Sequence, residues 1–451
     1  MPANSVQPAA WAALFKRLHF YIGLFVGPFL LVAALSGVVY ALTPQLENWL
    51  YADALHTGTR GPALPLARQV QVAQAHVGEA LAVAAVRPAA EEGGTTRVMF
   101  SVPGLGASEN RAVFIDPASG EVRGDMPVYG TSGALPLRTW LDQFHRGLLL
   151  GDVGRLYSEL AASWLWLAAL GGLWLWWQRA GNARRGGLRG LHASSGLWLL
   201  LGLLFFSATG LTWSQYAGDN IGVVRAQFGW STPSVKTQLG QDHSHMAAGG
   251  EHADHQMAMG SMGTALDVQL FDSVLAVARH HGIDASKVEI RPAQAMGKAW
   301  VVSEVDRSWP TQVDALALNP ATLAVVDHTE FAHFPLAAKL TRWGIDAHMG
   351  ALFGLPNQLL LVATGLGLAT MVVMGYVMWW RRRPALAQGP TLLAAWRQLT
   401  ARGRWAVLAA ALLVGVCLPV LGASLVLLLA FDACLSVRQR AMGTARPTAR
   451  A

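Results

Sequence analysis

Residues 20–42 read FYIGLFVGPFLLVAALSGVVYAL, an apolar run that contains no charged residue. Further runs of this kind lie at residues 160–177, 197–213 and 359–380. Each is close to the roughly 20 residues that cross the hydrocarbon core of a bilayer as a helix. A fifth apolar region, residues 405–437, is longer and contains Pro419 near its middle, which predicts a tight two-helix hairpin or a re-entrant pair. The chain is therefore predicted to be a multi-pass membrane protein.

The overall composition favours the same class. Of the 451 residues, 53% are hydrophobic and only 14% are charged, compared with about 25% charged in soluble domains. This rules out a disordered chain or a collagen and disfavours an ordinary soluble enzyme. The two cysteines, Cys417 and Cys434, form neither a CxxC motif nor a zinc spacing. The first apolar run lacks a small-residue cleavage site after a short apolar core, so we expect it to be retained.

The distribution of charge predicts the orientation. The short segments that flank the apolar runs carry lysine or arginine and no acid, whereas the two long loops hold all but one of the 27 acidic residues. By the positive-inside rule, the short segments and both termini are cytoplasmic. The two long loops are then periplasmic, which predicts a protein of the bacterial inner membrane in contact with lipid. The net charge of +7 follows from this topology, and we expect no nucleic-acid partner.

The chain contains an internal duplication. Leu18-His19 and Ser36-Gly37 recur with the same spacing as Leu191-His192 and Thr209-Gly210. Trp140, His145 and Gly151 likewise recur with the same spacing as Trp343, His348 and Gly354. The predicted fold is a membrane all-α bundle whose four main transmembrane helices form two parallel repeats. A C-terminal helical hairpin follows them, and two small α+β domains lie outside the membrane.

The expected segments run in order along the chain. They are a first transmembrane helix (1–45), a first external domain (46–140), a second helix with its preceding histidine segment (141–180), a cytoplasmic loop with the third helix (181–215), a second external domain (216–340), a fourth helix with its histidine segment (341–384), and the hairpin with a basic tail (385–451).

Each external domain is expected to contain one helix and at least two strands. The predicted helices are residues 67–76 and 270–281, and the predicted strands are residues 97–102, 111–115, 298–304 and 312–318. Asp116 to Val122 form a turn between strands in the first domain. Asn319 to Leu323 occupy the matching place in the second, where the glycine is missing, so we expect that turn to differ.

Four duplicated histidines are the candidate functional residues. His19 and His192 open helices on the cytoplasmic side, and His145 and His348 precede helices on the external side. Ionisable groups in a membrane usually have a partner, and neutral imidazole is the commonest metal ligand. Two histidines on each face suit bis-histidine ligation of haem b. Symmetry then pairs His19 with His192 and His145 with His348. Interfacial histidines bonded to headgroups or backbone, and transport of a bare metal, are the alternatives.

Residues 242–263 read DHSHMAAGGEHADHQMAMGSMG and lie in the longer second loop. Thioether and imidazole groups together suit Cu(I) and other soft metals. The segment is interpreted as a low-affinity metal scavenger or as an unstructured linker without a specific role. The candidate ligands are His243, His245, His252, His255, Met246 and Met257.

Taken together, these motifs resemble the PepSY-associated transmembrane family, also known as iron-regulated membrane proteins, which includes periplasmic ferric-siderophore reductases. The resemblance covers about residues 11–384 and is carried by FHRGLLLG at 144–151, HMGALFGLP at 348–356 and the two Leu-His pairs. It implies two b-type haems with His19, His145, His192 and His348 as ligands. It also implies that the external domains are PepSY-like, and the turn from Asp116 to Val122 is closest to that pattern.

The expected function is a membrane electron-transfer reductase. Electrons would enter at the cytoplasmic haem, pass to the outer haem and reduce Fe(III) in a siderophore or related metal chelate. Because the chain has no G-x-G-x-x-G at a strand–helix junction, the donor is expected to be a separate flavin, quinol or reductase protein. No side chain is expected to act as a general acid or nucleophile.

Two other functions are left open. The first is an iron, copper or siderophore transporter, and the second is a non-enzymatic PepSY-type binding or regulatory protein. The absence of Asp or Glu well inside the four main spans weighs against a proton-coupled pump.

Overall fold

The computed structural model describes residues 6–178, 186–240, 266–386 and 391–444. The chain divides into two compact units. A helical unit is formed by Met1–Val39, Gln143–Val223 and Leu359–Ala451, and an external unit is formed by Tyr40–Asp142 and Val224–Gln358.

In the described part of the chain, five helical stretches are long and apolar enough to cross a membrane, which confirms the prediction of a multi-pass membrane protein. They are Ala9–Ala41, Gly151–Trp177, Leu188–Thr212, Gly354–Arg382 and Pro419–Arg438. The second stretch is longer than the predicted run at 160–177, because its helix begins at Gly151 after a left-handed turn at Leu148 and Leu149.

The first stretch is not a regular α-helix. It consists of α1 (Val6–Tyr21), a π-helical turn (Ile22–Val26) and α2 (Gly27–Ala41). Pro28 lacks the N–H that would donate to the carbonyl of Leu24. That carbonyl instead accepts a 2.6 Å hydrogen bond from the hydroxyl of Tyr376. A membrane helix tolerates proline when a neighbouring helix supplies a hydrogen bond to the backbone carbonyl that proline leaves unpaired.

Further helices follow along this unit, and its five spanning stretches share one apolar core. The further helices are α7 (Gly151–Trp177), α8 (Leu188–Thr212), α9 (Tyr216–Gln227), α12 (Gly354–Leu386), α13 (Leu392–Arg397), α14 (Ala401–Cys417) and α15 (Pro419–Thr444). All five spanning stretches contribute buried residues, among them Ile22, Leu165, Leu203, Leu368 and Leu421. The fifth apolar region thus forms two helices, α14 and α15, and only α15 meets the length of a membrane span.

The external unit contains one eight-stranded antiparallel sheet. Its strands are β1 (Val83–Arg87), β2 (Thr96–Phe100), β3 (Glu109–Ile115), β4 (Val122–Tyr129), β5 (Val288–Arg291), β6 (Trp300–Glu304), β7 (Ala315–Leu318) and β8 (Val325–Thr329). Their order is β4-β3-β2-β1-β5-β6-β7-β8. The four predicted strands correspond to β2, β3, β6 and β7 and are confirmed.

The expectation of two separate external domains is corrected by this sheet. The first repeat supplies β1 to β4 and the second supplies β5 to β8, and β1 pairs with β5 so that Val86 lies opposite Ile290. The pairing satisfies two strand edges that would otherwise present free backbone groups. The helices α5 (Leu66–Val77) and α10 (Leu270–His280) share one apolar core with both halves of the sheet. They correspond to the two helices predicted from the sequence.

Other helices of this unit are α3 (Thr43–Leu50), α4 (Ala52–Leu55), α6 (Pro136–Gly147), a 3-10 turn at Phe331–His333, and α11 (Leu336–His348). The helix α6 ends in the helical unit, and α12 begins in the external one. These helices connect the sheet to the transmembrane segments along the chain.

The turn at Asn319 to Leu323 does not differ from its counterpart, so that prediction is wrong. In the first half, Gly120 N–H donates to the carbonyl of Asp116 at 2.9 Å, and in the second, Leu323 N–H donates to the carbonyl of Asn319 at 2.8 Å. Gly120 has φ +76° and Leu323 has φ +57°. Leu323 therefore adopts the left-handed conformation that glycine adopts in the first turn.

Candidate functional site

The structure brings His19 and His192 together inside the helical unit. His19 lies near the end of α1 and His192 in the first turns of α8, and their ring centroids are 6.3 Å apart at an interplanar angle of 78°. Among the described residues, neither buried Nδ1 atom has a hydrogen-bond partner. An unpaired buried nitrogen is unfavourable in a protein interior. Two of them side by side make these imidazoles candidates for binding a ligand.

The space beside the pair is kept by small residues. A Cβ atom added to Gly172 of α7 would lie 3.3 Å from Cε1 of His19, and one added to Gly196 of α8 would lie 3.1 Å from the methyl group of Met371. Both distances are tighter than an ordinary van der Waals contact. Glycine at position 172 therefore lets α7 approach the His19 imidazole closely, and glycine at position 196 leaves space for the Met371 side chain.

The separation of the rings fits one metal ion held between two imidazoles. A metal–nitrogen bond of about 2 Å on each side, plus the distance from each nitrogen to its ring centre, amounts to roughly the observed separation. The donor set of two neutral imidazoles in an apolar bundle also fits haem.

His145 lies in the last turn of α6 and is oriented by the first transmembrane stretch. Its Nδ1 is 2.8 Å from Oγ of Ser36. A Cβ atom added to Gly37 would lie 3.2 Å from its Cε1. The hydroxyl of Tyr157 donates to the backbone carbonyl of His145 at 2.6 Å. A hydrogen bond at Nδ1 is the usual means by which a protein orients a metal-ligating histidine.

His348 is the last residue of α11 and belongs to the external unit. The turn that follows is held by Asn357, whose Nδ2 donates to the carbonyl of Ala347 at 2.9 Å. His145 belongs to the helical unit and His348 to the external unit. Their pairing stays a prediction.

Two buried acids escaped the sequence analysis. Glu159 lies in the spanning helix α7, one residue before the apolar run predicted at 160–177, and is 1% exposed. Its two carboxylate oxygens accept hydrogen bonds from the backbone N–H groups of Tyr216 and Ala217, at 2.9 and 3.0 Å. The carboxylate thus caps the positive N-terminal end of α9. It is an anchor for a helix and gives no support to a proton relay.

Asp432 of α15 does the same for α13. It is fully buried and accepts hydrogen bonds from the backbone N–H groups of Leu392 and Leu393, both at 2.9 Å, and from the hydroxyl of Tyr21 at 2.6 Å. A single acid inside an apolar run is the sequence signal for such an anchor. Its partners, however, are distant in the chain.

The His/Met-rich segment 242–263 lies outside the described residues. This applies to all its candidate ligands: His243, His245, His252, His255, Met246 and Met257. Within the described ranges, no group of three or more His, Cys, Asp or Glu side chains could hold a metal ion.

A family profile described as the PepSY-associated TM region matches residues 16–382. A search of curated proteins finds no significant match.

Proposed function

Because the chain belongs to the PepSY-associated transmembrane family, we propose that it is a dihaem b membrane protein that transfers electrons to an iron chelate. The chelate is a ferric siderophore or a related compound on the periplasmic side of the bacterial inner membrane. The observation that carries the proposal is the His19–His192 pair, with its 6.3 Å separation and its two unpartnered Nδ1 atoms.

Bound haem supplies one-electron transfer, and the protein supplies ligation, orientation and the surrounding dielectric. His19 and His192 would hold one haem iron. Gly172 leaves the room beside His19 that a flat macrocycle needs. Ser36 keeps the His145 ring in one orientation through Nδ1. His145 and His348 would hold the second iron, as the internal repeat predicts.

The electron donor in this proposal is a separate molecule. A flavin, a quinol or a reductase protein would deliver electrons on the cytoplasmic side, because the sequence carries no dinucleotide-binding fingerprint. No side chain of the chain needs to act as an acid, base or nucleophile. The substrate changes only its oxidation state, from Fe(III) to Fe(II).

The test is the haem content of the purified full chain, measured as pyridine haemochrome against protein concentration. The wild type should contain two haems per chain and show reduced b-type absorbance bands. His19→Ala and His192→Ala should each lose one haem and retain the other. His145→Ala and His348→Ala should each lose the second haem only.

The matched control is His76→Ala, which removes a partly exposed histidine of the external unit and should leave the haem content unchanged. A wild-type protein that stays colourless after haem supplementation would contradict the proposal. It would favour a transporter or a binding protein. Loss of both haems from a single variant that is folded would contradict the pairing.

A further inference from the structure

A loop of the external unit holds a buried cation without an adequate counter-charge. The loop joins β6 to β7 and contains Arg307, whose side chain is only 19% exposed. Its Nη1 is 3.2 Å from the sulfur of Met349 and 3.7 Å from Oδ1 of Asp346, and its Nη2 is 3.3 Å from Oγ1 of Thr131. A thioether is a weak acceptor, and 3.7 Å is too long for a hydrogen bond. The guanidinium therefore lacks a strong acceptor among these neighbours.

The carboxylate nearest to Arg307 is already shared. Asp346 is fully buried, and its Oδ2 accepts a 2.9 Å hydrogen bond from Nε of Arg342. Among the described residues, its Oδ1 has no hydrogen-bond partner. Burial, together with the charges of Arg342 and Arg138, lowers the pKa of the Arg307 guanidinium to about 10, against the opposing effect of Asp346. The guanidinium groups of Arg307 and Arg342 thus share one carboxylate, that of Asp346.

Two further buried donors without acceptors lie in this loop and in α11. In the described part of the chain, neither Oγ1 of Thr311 nor Nε1 of Trp343 has a hydrogen-bond partner, although both atoms are buried. Thr311 has φ +76°, a conformation that is strained for a β-branched residue. Trp309 packs on Trp343 with ring centroids 5.5 Å apart, and it is 55% exposed. Strained backbone and unpaired donors together are typical of a ligand site.

We propose that Arg307, with Arg342 beside it, binds a carboxylate group of a ligand whose apolar part lies against Trp309. A carboxylate presents two oxygens to the planar fork of a guanidinium and supplies the missing negative charge.

Two sources of this carboxylate fit the site. One is a propionate of a haem held at His348, two residues beyond Asp346 in the chain; this source rests on the proposed function. The other is a soluble iron chelate that carries carboxylates, and it needs no haem. Both sources share the same chemistry at Arg307.

The experiment uses the purified full chain and three variants. Arg307→Gln removes the charge, Arg307→Lys keeps the charge without the fork, and Arg60→Gln is the control at an exposed arginine of the same unit. The first assay follows the rate at which haem passes to excess apomyoglobin, with ordinary haem and with haem whose propionates are methyl esters. The second measures binding of the anionic chelate Fe(III)-EDTA and of the uncharged Fe(III) tris(acetohydroxamate) by equilibrium dialysis.

Loss of hydrogen bonds to a charged group should weaken the affected ligand by about tenfold to a hundredfold in Arg307→Gln, with an intermediate effect in Arg307→Lys. Faster loss of ordinary haem, with esterified haem lost at the same rate from wild type and variant, identifies the propionate. Weaker binding of Fe(III)-EDTA alone, with haem retention unchanged, identifies the soluble chelate.

The wild type keeps the test independent of how well the variants fold. A wild-type protein that loses ordinary and esterified haem at equal rates, and binds Fe(III)-EDTA no better than the uncharged chelate, would overturn the proposal. A protein without haem would contradict the proposed function, and the two chelates would then decide the present proposal by themselves.

Discussion

The two matching turns of the external unit allow a test in which one half of the protein serves as a control for the other. Gly120 and Leu323 occupy equivalent left-handed positions. Gly120→Ala places a Cβ atom 3.2 Å from Cδ1 of Leu64 and adds the strain of a left-handed L-residue, about 1–2 kcal/mol. Since the added methyl group also crowds Leu64, we expect the free energy of unfolding to fall by about 2 kcal/mol.

Leu323→Gly is the reciprocal change. It removes about 1–2 kcal/mol of backbone strain. It also increases the freedom of the unfolded chain, which costs about 0.5–1 kcal/mol, and it loses the contact of a partly buried side chain with the sheet core. These effects oppose one another, so we expect Leu323→Gly to lie within about 1 kcal/mol of the wild type.

The assay is thermal unfolding of the full chain in detergent, followed by tryptophan fluorescence. Each kcal/mol shifts the midpoint by roughly 2–4 °C in a domain of 150–250 residues. Gly120→Ala should therefore unfold several degrees lower, while Leu323→Gly should stay close to the wild type. If the two variants were equally destabilised, or if Gly120→Ala had no effect, the strain argument would be refuted.

Three further predictions concern the candidate site and the anchors. Gly172→Val should displace the His19 ring and reduce binding of the first haem at least tenfold, which haem titration would detect; a full complement would contradict the close approach. Glu159→Gln should lower the free energy of unfolding by about 1–3 kcal/mol, because one backbone N–H loses its acceptor. The control Asp152→Asn, at an exposed position of the same helix, should leave it unchanged. Thermal unfolding measures both variants. Burial alone would raise the pKa of the Asp116 carboxyl, but hydrogen bonds from Thr57, Thr59 and the backbone N–H groups of the turn hold that pKa well below its usual range. The stabilisation that the ionised Asp116 carboxylate contributes should be complete above a pH of about 4 and should be lost as the pH falls further. The melting temperature of Asp116→Asn, measured against pH, should lack this loss in acid.

Much of the fold could be predicted because the relevant signals are local. An apolar run long enough to cross a bilayer can be identified without knowledge of its neighbours, and all four main runs correspond to helices that could span the membrane. The internal repeat predicted that His19 and His192 lie at equivalent positions of two helices. The strands β2, β3, β6 and β7 were found from their composition. The conformation of the turn at Leu323 was not predicted. Its backbone forms the same hydrogen bond as the turn at Gly120, although leucine disfavours the left-handed conformation that this requires.

The sequence alone determined the class of protein, the number of main spans, the duplication and the family, since hydropathy and motif spacing belong to contiguous residues. Only the tertiary structure decided that the two external halves share one sheet through β1 and β5, and that Glu159 and Asp432 cap helices far away in the chain. It also decided that Arg307 is buried beside an already shared carboxylate. These features depend on which backbone groups and charges meet after folding, and the free energy of such long-range contacts is not encoded in any short segment.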